Sequence, residues 1–185
     1  LNFYKTYGPE IFKGNRLFLT AKQIFWRKYS HERLRSALVR TFGEKLIGDA
    51  KTRVVITSFN IDTGDVHLFK TAHHEKFKRD YKVPVVDAAL ATASAPTYFP
   101  MFKKASQPPL IDGGVWANNP VGVAAVEAVG VLGWPKDQIK VLSVGCTDEL
   151  FDVGVRKRRN MGLLWAYSPS TAKVLMQGQS CGAMG

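Results

Sequence analysis

Leu110-Ile111-Asp112-Gly113-Gly114-Val115-Trp116-Ala117-Asn118-Asn119-Pro120 reads as a short apolar strand, a glycine corner and the start of a helix. Leu110 and Ile111 favour a buried strand. Two glycines turn the chain through backbone conformations closed to other residues. Asn119 is a helix-capping residue type, and Pro120 suits a first helical turn. The stretch therefore holds one carboxylate, Asp112, rigidly at the end of a sheet strand. Taken alone, Asp112 reads as a turn aspartate capping its own loop, and only its surroundings favour a chemical role.

Those surroundings are layered. Upstream, Pro84 opens a predicted helix in which Val85, Val86, Ala88, Ala89, Leu90, Ala91 and Ala93 offer small side chains for close approach to a sheet. Pro96 ends that helix near Ser94. Residues 53–60 (Arg-Val-Val-Ile-Thr-Ser-Phe-Asn) read as a buried strand, Asp62-Thr63-Gly64-Asp65 as a turn, and residues 66–71 as the returning strand. Ser30 caps a predicted helix over His31–Phe42, where Leu34, Ala37, Leu38 and Phe42 recur at helical spacing before Gly43. Residues 1–30 read as irregular, with Gly8-Pro9 and Gly14-Asn15 as turn signals. Residues 73–81 read as an exposed loop or short helix. Downstream, residues 120–131 predict a helix apolar on most faces and hence buried. Residues 140–144 predict an apolar strand ended by Gly145. Strands and helices alternating after residue 80 predict an α/β fold with a largely parallel central sheet. No repeat, low-complexity tract or linker divides the chain, so residues 1–185 read as one domain.

Composition bounds the function. Hydrophobic residues at 45% and charged residues at 22% suit a globular protein. No apolar run approaches the ~20 residues of a membrane span. Cys146 and Cys181 make neither a disulfide framework nor a metal spacing, and read as reduced thiols of a cytoplasmic protein. His31, His67, His73 and His74 match no metal motif. A net charge of +11 and a pI of about 9.8 favour anionic partners. The densest cluster is Arg156-Lys157-Arg158-Arg159, a solvated loop or a contact for an anionic membrane surface. No nucleic-acid motif accompanies the charge, so nucleic acid is not an expected partner.

The alanine-rich helix, Ala95-Pro96-Thr97-Tyr98-Phe99-Pro100, Asp112-Gly113-Gly114 and Asn118-Asn119-Pro120 follow one another in an order and spacing that resemble the C-terminal half of the patatin-like phospholipase catalytic domain. Phe3-Tyr4, Gly8-Pro9-Glu10-Ile11-Phe12 and Val141-Leu142-Ser143-Val144-Gly145 extend the resemblance. It implies a three-layer fold and a hydrolase acting on acyl esters of phospholipids or other acyl lipids through a Ser–Asp dyad, without a cofactor. Asp112 matches the acid of the dyad. Gly113, Gly114, Asn118 and Asn119 match its supporting motif, the asparagines bracing the turn and capping the helix. The nucleophile of that family stands in a Gly-x-Ser-x-Gly elbow preceded by a glycine-rich oxyanion loop, and both are expected upstream of Leu1. The chain is therefore expected to be a piece of a longer domain, lacking its N-terminal portion and ending early, and to be inactive by itself.

Within the family, Phe69-Lys70-Thr71-Ala72-His73-His74 through Phe77-Lys78-Arg79-Asp80 looks most like bacterial members, some of which are activated by cyclic nucleotides. The stretch reads as a solvated loop or as a contact for the phosphate of a cyclic-nucleotide activator, and transient contact of a peripheral enzyme with a membrane surface is also expected. Gly145-Cys146-Thr147-Asp148 departs from the Gly-Thr-Gly common in relatives. Gly178-Gln179-Ser180-Cys181-Gly182 satisfies Gly-x-Ser-x-Gly, but residues 170–177 before it read as a helix, where a nucleophile elbow needs a strand. It also follows Asp112, the reverse of the family order. Two other functions fit the residues. One is a non-catalytic lipid- or nucleotide-binding relative that has lost its serine. The other is a basic interaction module with a structural Asp-Gly-Gly.

Overall fold

The structure, a computed structural model, describes residues 2–14, 27–145 and 169–183, without the side chains of Pro169, Ser170, Ala172 and Lys173. The chain forms two compact units, Leu1–Val115 and Trp116–Gly185.

The first unit is built on two hairpins. Strands β1 (Val55–Asn60) and β2 (Asp65–Lys70) pair over their whole length, from Val55 opposite Lys70 to Asn60 opposite Asp65. The turn between them uses Gly64 in the left-handed region, φ 74°. Strands β3 (Phe102–Lys104) and β4 (Gln107–Asp112) form the second hairpin, and β4 lies against β1 with Ser58 opposite Asp112. The sheet order is β2-β1-β4-β3.

Every pairing among the described strands is antiparallel, where the alternating pattern predicts a largely parallel sheet. Within each hairpin the cause is connection length. Residues 61–64 and 105–106 are too few for the crossover that parallel neighbours need. The helix that reads as a crossover instead links one hairpin to the other. Strand β3 and the first half of β4 carry no clear signal in sequence, because Pro108 and Pro109 interrupt the strand pattern. The ladder accommodates them at a register shift between Phe102 and Lys104.

Helices cover one face of this sheet. Helix α1 (Asn2–Ile11) occupies a stretch that reads as irregular. A proline inside a helix is unfavourable by about 3 kcal/mol. Phe3, Tyr7 and Ile11 outweigh Pro9 by recurring four residues apart on the core side, with Ile11 buried. Helix α2 (His31–Phe42) starts at Ser30, whose side chain accepts from Glu32 N–H at 3.4 Å, and stops at Gly43, φ 58°. Helix α3 (Val85–Thr92) follows Pro84 and buries Val86, Ala88, Leu90 and Ala91. These pack with Leu34, Ala37 and Leu38 of α2 and with Phe69, Phe102 and Leu110 of the sheet. Each such leucine or phenylalanine contributes about 1.5–3 kcal/mol by leaving water.

One charge sits inside that packing. Asp87, in the first turn of α3, has a buried side chain that meets Lys104 Nζ of β3 at 2.5 Å and Arg35 Nη1 of α2 at 3.6 Å. A buried carboxylate needs such partners. The pair fastens the β3–β4 hairpin to both helices.

Helix α4 (Gly114–Ala117) follows β4 directly. The second unit contains α5 (Val121–Val126), continued by a π-helical turn over Glu127–Val131, and α6 (Pro169–Gly182). The helix predicted over residues 120–131 is present, but α5 buries none of its residues, against the expectation of an interior helix. Residues 139–145 form no strand, and Leu142 is 87% exposed. A strand exists only by pairing, and this segment meets no ladder partner among the described residues.

Candidate active site

Asp112 is the last residue of β4, directly opposite Ser58 on the neighbouring strand. Three interactions fix it. Its N–H donates to Ser94 O at 3.1 Å. Its Oδ1 accepts from Gly114 N–H at 2.7 Å. The strand beneath it is locked by Ser58 Oγ, which donates to Ile111 O at 3.0 Å. Oδ2 has no protein partner among the described residues. Partial burial raises the Asp112 pKa above its ordinary value, and the Gly114 N–H opposes that shift. The result is a fixed carboxylate with one oxygen held and one available, and with more basicity than an exposed aspartate. That is the equipment of a general base.

The two glycines contribute differently from what their type suggests. The described glycines with left-handed backbone are Gly43, Gly64 and Gly133, so Gly113 is not there for an unusual φ. Gly113 is needed for space. A Cβ at that position would overlap the Oγ1 and carbonyl of Thr57 on β1. Its backbone therefore lies flush against the neighbouring strand, which fixes where the chain leaves β4. Gly114 supplies the N–H that holds Oδ1.

Two serines adjoin Asp112, and both are fully buried. The Ser58 hydroxyl donates to Ile111 O, and the Ser94 hydroxyl donates to Leu90 O at 2.7 Å. Neither presents its oxygen to a substrate. Ser180, the serine of Gly178–Gly182, stands inside helix α6 and not at a strand-to-helix corner. Its Oγ accepts from Asn118 Nδ2 at 2.8 Å. Asn118 thus joins α6 to the segment before α5, and Asn119 Oδ1 accepts from Val121 N–H at 3.1 Å as that helix begins. Asn119 holds local backbone, whereas Asn118 reaches a segment about sixty positions away.

The basic stretch after β2 is largely occupied with itself. Lys70 Nζ lies 4.3 Å from the centre of the Phe77 ring, which His73 and His74 flank at 5.2 and 5.4 Å. His73 Nδ1 is 2.7 Å from Thr71 Oγ1. Arg79 pairs with the buried Asp80 at 2.8 Å. Arg156, Lys157, Arg158, Arg159 and Cys146 lie outside the described residues. Among the described residues no group of three His, Cys, Asp or Glu side chains could hold a metal ion, and no helix is long and apolar enough to cross a membrane.

Sequence reading does not anticipate His31 beside Ser94, 63 positions away, at 3.1 Å. Nor does it anticipate the cross-strand row of His67, Ser58 and Asp112. No local signal marks either, because His31 meets Ser94, and Ser58 meets Asp112, across distant segments.

The chain is similar in sequence to known proteins. The chain is 38% identical over 125 residues to a cGAMP-activated phospholipase of Pseudomonas aeruginosa, covering 65% of this chain and 37% of that protein. It is 35% identical over 132 residues to a cGAMP-activated phospholipase of Vibrio cholerae, covering 68% and 37%. It is 30% identical over 142 residues to Patatin-like protein 4 of Arabidopsis thaliana, covering 72% and 35%. The chain thus matches little more than a third of the length of these relatives. The Patatin-like phospholipase family model matches residues 9–125, a span that includes β1 to β4 and the Asp112 corner. On that match the chain belongs to the patatin-like phospholipase family.

Proposed function

We propose that the full protein is a lipid acyl-ester hydrolase of the phospholipase A or lysophospholipase type, in which Asp112 is the general base for a serine upstream of residue 1. The observation that carries this reading is the Asp112 carboxylate itself. It is half-buried at a strand end, with Oδ1 pinned by Gly114 N–H and Oδ2 available. A serine hydroxyl is a weak nucleophile until a base takes its proton. Asp112 would accept that proton as Oγ attacks the ester carbonyl. The protonated Asp112 would then deliver it to the departing alkoxide, leaving an acyl-serine. Water, deprotonated by the same carboxylate, would release the fatty acid and regenerate the serine. No cofactor enters these steps. With the nucleophile upstream of residue 1, this chain alone is expected to be inactive.

The bacterial relatives support a second element. Three of them, including one from Escherichia coli at 40% identity over 101 residues, are cGAMP-activated phospholipases. We propose that a cyclic dinucleotide activates the full protein in the same manner, and that the enzyme is cytoplasmic with transient contact at the membrane surface.

The test is fluorophosphonate labelling of the full-length protein with and without cGAMP, followed by peptide mapping and phospholipid hydrolysis assays. The expected result is cGAMP-dependent hydrolysis with the label on one serine upstream of residue 1. A label on Ser180 would overturn the assignment of the nucleophile. Absence of both labelling and hydrolysis, with lipid or nucleotide still bound, would favour a non-catalytic binding protein.

A further inference from the structure

The N–H of Asp112 lies past the end of the β3 ladder, which stops at Phe102 opposite Leu110. In place of a strand, the carbonyl of Ser94 accepts it at 3.1 Å. Ser94 follows helix α3 by two residues and is fully buried. Its own N–H donates to Ala91 O at 3.2 Å. Its hydroxyl donates to Leu90 O at 2.7 Å, which uses the only proton the hydroxyl has. His31 Nε2, at 3.1 Å from the same oxygen, must therefore be the donor, so the Nε2–H tautomer is selected. The imidazole is fixed in turn. His31 is the first residue of α2, just after the Ser30 cap, and its ring stacks on Phe99 at 5.8 Å with 22° between the planes. Burial first, and Arg27 second, disfavour the charged ring. The neutral ring that burial favours meets the Ser94 oxygen with its one proton on Nε2.

We propose that His31 and Ser94 are a positioning pair for Asp112. His31 fixes the Ser94 hydroxyl, the hydroxyl and N–H fix Ser94 to the last turn of α3, and the Ser94 carbonyl fixes the backbone of Asp112. Helices α2 and α3 thereby set the position of a carboxylate that belongs to the sheet. The inference rests on the reading of Asp112 as the general base. Ser94 and His31 stand together like a nucleophile and its base, but the Ser94 hydroxyl is buried and its proton is given to a carbonyl.

The test uses the full-length enzyme and a soluble ester. His31→Phe keeps a ring to stack on Phe99 and removes the donor. His31→Gln restores a donor amide. Ser94→Ala removes the shared oxygen and leaves the Ser94 carbonyl in place. Displacement of a catalytic group by about 1 Å can lower a rate by up to about 100-fold. Turnover per folded molecule is expected to fall about 10- to 100-fold in His31→Phe and Ser94→Ala, with KM within about twofold, and to recover most of its value in His31→Gln. In the Asp112→Asn background, His31→Phe is expected to have no further effect. Unchanged turnover in His31→Phe, or an equal loss in the Asp112→Asn background, would overturn the positioning role. If His31→Phe does not fold, the comparison of Ser94→Ala and His31→Gln with wild type decides in the same way. Normal turnover in Asp112→Asn would instead refute the general-base reading, so the two failures are distinct.

Discussion

Replacing Asp112 by Asn in the full-length protein separates chemistry from architecture. The amide has the same size as the carboxylate. Its oxygen can still accept from Gly114 N–H, the contact now made by Oδ1 at 2.7 Å. The backbone N–H to Ser94 O is untouched. What is lost is the ability to take a proton at the other oxygen. Removing a positioned general base lowers turnover by about 10²–10⁴, which is about 2.7–5.5 kcal/mol in activation free energy. The effect belongs in kcat, because the proton is transferred only as the serine attacks.

Stability should move the other way. Burial raises the Asp112 pKa in the folded state, so the folded protein holds more protons than the unfolded chain between the ordinary aspartate value and the raised one. Folding stability therefore falls as pH rises through that window. Above it the penalty for burying the charge is fully present, and below the ordinary value it is absent. Asn carries no such penalty. At pH 7 the Asp112→Asn protein should resist denaturant at least as well as wild type, and any advantage should vanish in acid. The same shift places the acid limb of kcat/KM above the range of an exposed aspartate. The assay pairs ester turnover across pH with denaturant midpoints at neutral and acid pH. Near-normal turnover in a well-folded Asp112→Asn protein would refute the catalytic role. A lower midpoint for the variant at pH 7 would show that hydrogen bonding, not burial, dominates this carboxylate.

Gly113→Ala should destabilise the fold by about 3 kcal/mol or more, the upper range for overpacking, because the new methyl meets the Thr57 carbonyl on rigid strand backbone; an unchanged denaturation midpoint would contradict it. Lys104→Met should cost roughly 2 kcal/mol by leaving the buried Asp87 with only the 3.6 Å Arg35 contact, less than a fully buried pair because Lys104 is half-exposed; thermal unfolding at low and high salt is the measurement, and a loss that disappears at high salt would assign the pair to the surface. Neutralising Arg156, Lys157, Arg158 and Arg159 together should weaken binding to anionic vesicles by up to a few kcal/mol, at about 1 kcal/mol per charge, while soluble-ester turnover stays the same; vesicle sedimentation at two salt concentrations reads the effect, and equal binding by wild type and variant would make the cluster a solvated segment.

Local structure was legible where a single segment carries its own instructions. Helix α2 shows this: Ser30, the 3–4 spacing of Leu34, Ala37 and Leu38, and Gly43 state its start, its buried face and its end, and the structure has the same limits. The β1–β2 hairpin is similar, because a Gly64 turn follows a β-branched apolar run and precedes a second strand-length segment. Legibility failed where a long-range partner outweighs a local signal. Pro9 marks a turn in sequence, yet α1 runs through it because Ile11 reaches the core. Pro108 and Pro109 hide a strand that β3 and β1 nevertheless hold. Residues 140–144 and α5 show the reverse: their apolar side chains demand burial, but composition does not state against what.

The same division explains what could be read of the site. Asp112-Gly113-Gly114 is a contiguous motif, and its local geometry follows from residue type: a carboxylate ending a strand, and an N–H two residues on that turns back to hold it. The reason Gly113 must be glycine is not local. It lies in Thr57, more than fifty positions away, whose backbone leaves no room for a side chain. Ser94 and His31 are likewise ordinary residues in sequence, a helix-end serine and a helix-start histidine. They become informative only when the Asp112 N–H, the Ser94 carbonyl and the His31 ring are seen to form one line of hydrogen bonds from α2 to β4. A motif names the reacting group. The contacts that hold that group still come from several elements, and antiparallel pairing of β1 with β4 is what brings Thr57 and Ser58 beneath it.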